Sequence, residues 1–180
     1  SVRRGAGVDL HVFHGSIDLQ DIELVGNTIE NNSGPNSRGV LLRAEADARL
    51  MVDIENNSIR YNNSDGIELS TRQNDASDVR QVGGIWTKNT ISDNGAHGVQ
   101  LIGRYGLFDL ISDVATPLYI GLEGTDAIDG LDRANEISRN GLDGITVNYG
   151  GALAVTNNRI QFNGTGGIDV NAGGSANPNI

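Results

Sequence analysis

Three regularities in the 180-residue sequence predict an all-β fold, a single-stranded right-handed parallel β-helix built as a solenoid of about seven three-strand coils. A phrase of the form N-x-I-x-x-N, followed by G-(I/V)-x-(L/V), occurs five times. In the last four copies the first Asn and the Gly are nine residues apart, as in Asn57 and Gly66. Aliphatic and polar residues alternate within each copy, as in Ile67-Glu68-Leu69, which is typical of strands with one buried face.

Stacking the copies in register predicts ladders of equivalent side chains. The first Asn ladder contains Asn27, Asn57, Asn89, Asn135 and Asn158, and the second contains Asn32, Asn62, Asn94, Asn140 and Asn163. We expect the ladder Asn residues to occupy left-handed backbone at tight corners, because Asn tolerates that region. The Gly that precedes the Ile or Val of each copy is expected to allow a backbone conformation that a Cβ would forbid.

One interval between copies is longer than the next. Asn89 and Asn135 are 46 residues apart, twice the 23 residues that separate Asn135 from Asn158. A degenerate coil is therefore predicted over residues 112–134, with 112–124 stacked between its neighbours and with Val114 and Leu122 pointing inward. The alternative is a single long loop over residues 102–127.

Composition narrows the function classes. The chain carries 13 Lys and Arg against 23 Asp and Glu, a formal charge of −10, so a nucleic acid is not expected as a partner. The most apolar stretch, residues 107–122, contains Asp109 and Asp113, so membrane insertion is not expected. We treat 1–180 as one β-helix domain. The start at Ser1 and the incomplete copy at Gly7 predict a fragment with an open first coil, whose partners would be flanking coils of a parent protein.

The recurring phrases closely resemble the parallel β-helix repeat of pectin-lyase-like proteins. The segment YIGLEGTDAIDGLDRANEISRNGLDGI is also similar to repeats of large bacterial surface and secreted β-helix proteins. This resemblance implies an extracellular or cell-surface location, and it implies that the outer face of the G-(I/V)-x-(L/V) strand is where enzymes of the family carry their polysaccharide site. The catalytic signatures of alginate epimerases (D-P-H-E) and of pectin hydrolases (N-T-D, D-D and G-H-G) are absent from the sequence.

Two groups of polar residues are candidate sites. Outward columns on and around the first strand bring together eight candidates for carbohydrate binding: Asp65, Glu68, Arg72, His97, Gln100, Arg104, Asp143 and Thr146. Four carboxylates at three-residue spacing are a candidate calcium site, since oxygen ligands suit that cation: Glu123, Asp126, Asp129 and Asp132. The alternatives are a solvated polar sheet face for the first group and a solubilising loop for the second, and no cofactor other than calcium is indicated.

Two function classes follow. The first is a non-catalytic β-helix repeat module of a bacterial surface or secreted protein, acting as a rigid spacer or as a polysaccharide-binding surface. The second is a polysaccharide lyase, epimerase or hydrolase that acts on the outer face of the first strand. The missing catalytic signatures favour the module, and fold alone does not decide between them.

Overall fold

The computed structural model describes residues 5–12, 18–45, 48–72, 81–103, 107–108, 115–116, 118–121, 134–148 and 153–171. Those residues form strands and short turns, which confirms the predicted all-β class. Within the described part of the chain, no helix is long and apolar enough to cross a membrane.

The first sheet is parallel and is built from the segments that contain G-(I/V)-x-(L/V). Its strands, in spatial order, are β1 (Ala6–Val12), β4 (Arg38–Glu45), β7 (Ile67–Arg72), β11 (Val99–Ile102), β16 (Ile145–Asn148) and β19 (Ile168–Asn171). The register pairs equivalent residues of successive copies, for example Ile67 with Val99 and Leu69 with Leu101. The spacing in the sequence therefore predicts this sheet correctly.

Two further parallel sheets complete each coil. The second sheet contains β2 (Asp18–Val25), β5 (Arg49–Glu55), β9 (Ile85–Thr87), β14 (Leu118–Gly121) and β17 (Leu153–Thr156), with β8 (Gln81–Gly83) also paired to β5. The third sheet contains β3 (Thr28–Glu30), β6 (Ser58–Arg60), β10 (Thr90–Ser92), β15 (Glu136–Ser138) and β18 (Arg159–Gln161). A separate antiparallel pair joins β12 (Leu107–Phe108) to β13 (Ala115–Thr116). The chain passes from the first to the second to the third sheet and then begins the next coil.

The core lies inside the solenoid. It consists mainly of aliphatic side chains from every second residue of the strands. Ile59, Ile67 and Leu69 of one level are fully buried, as are Ile137, Ile145 and Val147 of a later one. Trp86 fills the second-sheet side of the core and donates a hydrogen bond from Nε1 to the Val52 carbonyl at 3.1 Å. Apolar burial and coil-to-coil hydrogen bonds therefore act together, as a stack of units too small to fold alone requires.

Both predicted Asn ladders are present and continuous. In the first, each amide Nδ2 donates to the Oδ1 of the next Asn, at 3.0 Å from Asn27 to Asn57 and at 2.8 Å from Asn135 to Asn158. In the second, the distances run from 2.7 Å between Asn32 and Asn62 to 3.0 Å between Asn140 and Asn163. The second amide hydrogen of most ladder Asn residues goes to a strand carbonyl of the previous coil, so these side chains clamp adjacent coils together.

The predicted degenerate coil over residues 112–134 is wrong. In both ladders the coil at Asn89 and Asn94 bonds directly to the coil at Asn135 and Asn140, and β11 pairs directly with β16. The strand Leu118–Gly121 instead lies in the second sheet, between β9 and β17.

The 46-residue interval is therefore one coil with long insertions on either side of its second-sheet strand. The alternative of a single loop over 102–127 is also incomplete, because that interval contributes β14 to the stack. Val114 and Leu122 lie outside the described residues. The described part of the chain supplies six strands to the first sheet, one fewer than the coils expected. Whether the first coil is open stays a prediction, because residues 1–4 lie outside the described range.

Two conformational expectations also need correction. The left-handed residues are the ones before the ladder Asn residues, such as Asn56 (φ 56°) and Tyr61 (φ 55°), and not Asn57 or Asn62 themselves. In every described coil but the last, the Gly before the first-sheet Ile or Val is required for space. A Cβ on Gly66 would lie 2.5 Å from Ile91 Cγ2 and 2.7 Å from the Gly98 carbonyl oxygen of the next coil.

Candidate functional site

Three of the carbohydrate-binding candidates lie side by side on the outer face of the first sheet. The register pairs Gln100 with Glu68 on one side and with Thr146 on the other. Although all three point away from the core, Glu68 and Thr146 are each only 3 % exposed, and Gln100 is partly buried. The face is thus less accessible than its alternating sequence pattern predicts.

Three more candidates belong to a column that runs along the edge of the first sheet, just before each Gly. We call Arg38, Asp65, His97 and Asp143, together with Glu68 and Thr165, the polar ladder. Arg38 donates from Nε to Glu68 Oε2, and the same nitrogen lies 3.9 Å from Asp65 Oδ2. The His97 amide N–H donates to Asp65 Oδ1 at 3.1 Å.

The polar ladder continues into the later coils. His97 Nδ1 lies 3.4 Å from Asp143 Oδ2, and the same nitrogen accepts a hydrogen bond from the Asp143 amide at 3.4 Å. Asp143 Oδ1 accepts from the Thr165 hydroxyl at 2.6 Å. Each contact joins one coil to the next, so these side chains bind the stack together in the same way as the Asn ladders.

The start of the polar ladder is a buried ion pair. Side-chain exposure is 8 % for Arg38 and 4 % for Glu68. Removing one partner of such a pair leaves a charge buried without compensation, which is costly. A substitution at Glu68 would therefore change stability as well as any binding. Gln100 can be replaced without leaving a buried charge unpaired.

The remaining candidates cannot be placed as side chains. The backbone of Arg72 lies in β7 opposite Glu45, and Arg104 lies outside the described residues. The proposed calcium ligands Glu123, Asp126, Asp129 and Asp132 also lie outside them. Within the part of the chain that is described, no three His, Cys, Asp or Glu side chains are grouped so that they could hold a metal ion. Glycan and calcium binding by these residues stay predictions.

A second surface of the molecule is not apparent from the repeat pattern of the sequence. At the corner between the third and first sheets, every described coil has one left-handed residue directly before the second-ladder Asn. We call these residues the ridge: Asn31, Tyr61, Asp93, Arg139 and Phe162. Their φ angles are 60°, 55°, 56°, 54° and 59°, in that order. Tyr61 is 52 % exposed and Phe162 is 77 % exposed. The only signal in the sequence was that the residue before each second-ladder Asn differs from one copy to the next.

Charged pairs accompany the ridge. Arg139 donates from Nε and Nη2 to the two carboxylate oxygens of Asp93, at 2.9 and 3.1 Å. That hydrogen bonding holds the pKa of Asp93 below its usual value and raises the pKa of Arg139. Arg60 donates to Glu30 at 2.8 Å, which raises the pKa of Arg60, and its guanidinium lies 5.4 Å from the centre of the Tyr61 ring.

The family described as "Right handed beta helix region" matches residues 16–180. No curated protein and no solved structure matches the chain significantly.

Proposed function

We propose a function on the premise that the chain belongs to the right-handed β-helix family, which matches it over most of its length. The chain is a β-helix repeat module. Our proposal is that it is a non-catalytic module of a bacterial surface or secreted protein, and that it acts there as a rigid spacer. The surface or secreted location rests on the resemblance of its repeats.

The observation that carries the spacer proposal is the continuity of the two Asn ladders. From Asn27 to Asn158, every step between neighbouring coils is a direct amide-to-amide hydrogen bond of 2.8–3.0 Å. The second ladder repeats this at the next corner. Buried, satisfied polar networks of this kind rigidify a structure and specify one arrangement.

The polar ladder supports a non-catalytic role. A general acid or base must reach the substrate proton, directly or through one water. Asp65 and Glu68 are 2 % and 3 % exposed, and their carboxylates contact Arg38 of the preceding coil. His97 and Asp143 contact each other. These groups are used to join coils, which favours the module over the lyase, epimerase or hydrolase.

The experiment compares Glu68→Ala with the matched variant Gln100→Ala from the neighbouring strand. We expect Glu68→Ala to lower the free energy of unfolding by about 3 kcal/mol, because the buried Arg38 guanidinium loses the carboxylate that it contacts most closely. Gln100→Ala should change it by about 0.5 kcal/mol or less. Unfolding can be followed through Trp86, the single tryptophan, which is 1 % exposed.

The same proteins are incubated with alginate, polygalacturonate and neutral polysaccharides, with and without calcium. We expect none of them to release unsaturated products, new reducing ends or epimerised sugars. Turnover that is lost in His97→Gln or Gln100→Ala without loss of stability would establish an enzyme and refute the non-catalytic proposal.

Polysaccharide binding on the outer face of the first sheet is a second candidate function. It is favoured by Gln100, His97 and Asp143, which are partly buried and so retain some access to solvent. If this face binds glycan, Gln100→Ala should weaken retention on a glycan array while the melting temperature stays nearly unchanged. Binding that is lost only when the protein unfolds would count against it.

A further inference from the structure

We propose that the ridge is a separate binding site for an uncharged polysaccharide, with Tyr61 and Phe162 as two aromatic platforms and the Asp93–Arg139 pair between them. This goes beyond the spacer function and does not depend on it. The ridge lies at the corner between the third and first sheets, away from the outer-face column to which Gln100 belongs.

The first argument is that folding does not explain the two aromatic residues on the ridge, Tyr61 and Phe162. All five ridge residues have left-handed backbone, a region that disfavours side chains other than Gly, Asn and Asp. Asn31 shows that the position accepts Asn, yet Tyr61, Arg139 and Phe162 occupy it in other coils. Strained residues that persist where a relaxed one would fit point to a function.

The second argument is that one ring is held in place. Arg60 sits over Tyr61 with its guanidinium carbon 5.4 Å from the ring centre, and Glu30 fixes Arg60 through a 2.8 Å hydrogen bond. Tyr61 nevertheless remains 52 % exposed. A ring that is oriented before binding loses little conformational freedom when a ligand stacks on it. Phe162, at 77 % exposure, offers a second, more open ring.

The third argument concerns the charge of the ligand. The protein has a net charge of −10, but the ridge and its flank pair Arg60 with Glu30 and Arg139 with Asp93, so these four charges cancel. The Asp93–Arg139 pair uses both carboxylate oxygens and two guanidinium nitrogens. A polyuronate would find no uncompensated cation among these residues, whereas hydroxyl groups can still accept from and donate to a neutral ion pair.

The fourth argument is the separation of the rings. Tyr61 and Phe162 are three coils apart, which corresponds to about 14 Å at the ~4.8 Å spacing of adjacent strands. A protein interface normally has a contiguous apolar centre that excludes water. Two rings separated by an exposed ion pair do not form such a centre. They suit an extended chain of sugar rings, whose apolar faces stack on aromatic rings and whose hydroxyls bind polar groups between them.

The test uses the full chain and the variants Tyr61→Asn and Phe162→Asn. Asn is the residue that coil one has at the same position, so both variants should fold, with a melting temperature equal to or about 2 °C above that of the wild type. Lys88→Asn is the matched control, because Lys88 is another left-handed residue (φ 57°) but lies at the other corner. Gln100→Ala separates the ridge from the outer face of the first sheet.

Binding is measured by affinity electrophoresis in dextran, galactomannan and xyloglucan, with alginate as the acidic comparison. We expect at least one neutral polysaccharide to retard the wild type, and either ridge variant to weaken that binding at least tenfold. Lys88→Asn should bind as the wild type does.

Retardation by no neutral polysaccharide, or equal binding by the ridge variants, would overturn the proposal. Loss in Gln100→Ala alone would assign binding to the first-sheet face and would leave the spacer proposal intact. Self-association in sedimentation velocity that Phe162→Asn abolishes, without any glycan binding, would assign the ridge to a protein contact and would equally overturn it.

Discussion

The coils of this solenoid turn through left-handed residues at two different corners, and the two corners are filled differently. Between the second and third sheets, the left-handed residues in the described part of the chain that directly precede a first-ladder Asn are Gly26, Asn56, Lys88 and Asn157, so three of these four suit that backbone. On the ridge, between the third and first sheets, they are Asn31, Tyr61, Asp93, Arg139 and Phe162.

At both corners the left-handed residue is followed by a ladder Asn, whose side chain bonds one coil to the next. The inward-facing residues of the two corners are therefore alike. The difference lies in what faces solvent. Between the second and third sheets, the left-handed backbone conformation determines which residue types occur. On the ridge, a different requirement has more influence on the residue type than the backbone conformation does. The comparison teaches that stacking constrains the inward positions of a coil, while the outward positions are free to carry recognition.

The largest loss of stability is expected from replacing a glycine that follows the ridge and precedes a first-sheet strand. A Cβ on Gly66 would lie 2.5 Å from Ile91 Cγ2 and 2.9 Å from Asn94 Nδ2, so Gly66→Ala should destabilise the protein by about 3 kcal/mol. Gly167, at the equivalent place in the last described coil, has only Ile160 Cγ2 at 3.9 Å. Gly167→Ala should be nearly neutral, and urea unfolding of the two variants checks this. Equal costs would mean that crowding between coils is not what requires Gly here.

The sequence predicted the inward positions well and the outward ones poorly. The Asn and Ile ladders were readable because each coil repeats the same residue for the same contact. The second-sheet strand Leu118–Gly121 was misassigned because an insertion of one coil's length cannot be told from a coil by spacing. The bond from Asn158 Nδ2 to the Ile120 carbonyl, at 2.6 Å, identifies its sheet.

The site was predicted less well for a related reason. Glu68 was expected on an open face, but Arg38 reaches it from the preceding coil, and periodicity does not encode a contact between long side chains. The ridge gave no signal as a ladder, because Tyr61, Asp93 and Arg139 share a backbone conformation and not a chemical type. Its common property is the left-handed φ, which a strand pattern does not reveal.

A smaller effect is expected from the ion pair on the ridge. Hydrogen bonding to Arg139 lowers the pKa of Asp93, so the pair contributes stability above the usual pKa of an aspartate, near 4, and loses it as the pH falls further. The melting temperature of the wild type should therefore exceed that of Arg139→Gln slightly at pH 7. The difference should shrink below pH ~4 and in high salt, because the pair is exposed. A difference that grows on acidification would contradict this assignment.

The central claim is that the ridge keeps its aromatic residues at a cost to stability, and the free energy of unfolding of Phe162→Asn tests it most directly. Phe162 is 77 % exposed and left-handed, with φ 59°. Replacing it with Asn removes little packing and relaxes the backbone. We predict that Phe162→Asn raises the free energy of unfolding by about 1 kcal/mol. The control Lys88→Asn should raise it by less, because it also removes the exposed ion pair between Lys88 Nζ and Glu55 Oε1 at 2.7 Å. A decrease for Phe162→Asn beside an increase for Lys88→Asn would show that the ring stabilises the fold, and would contradict the account.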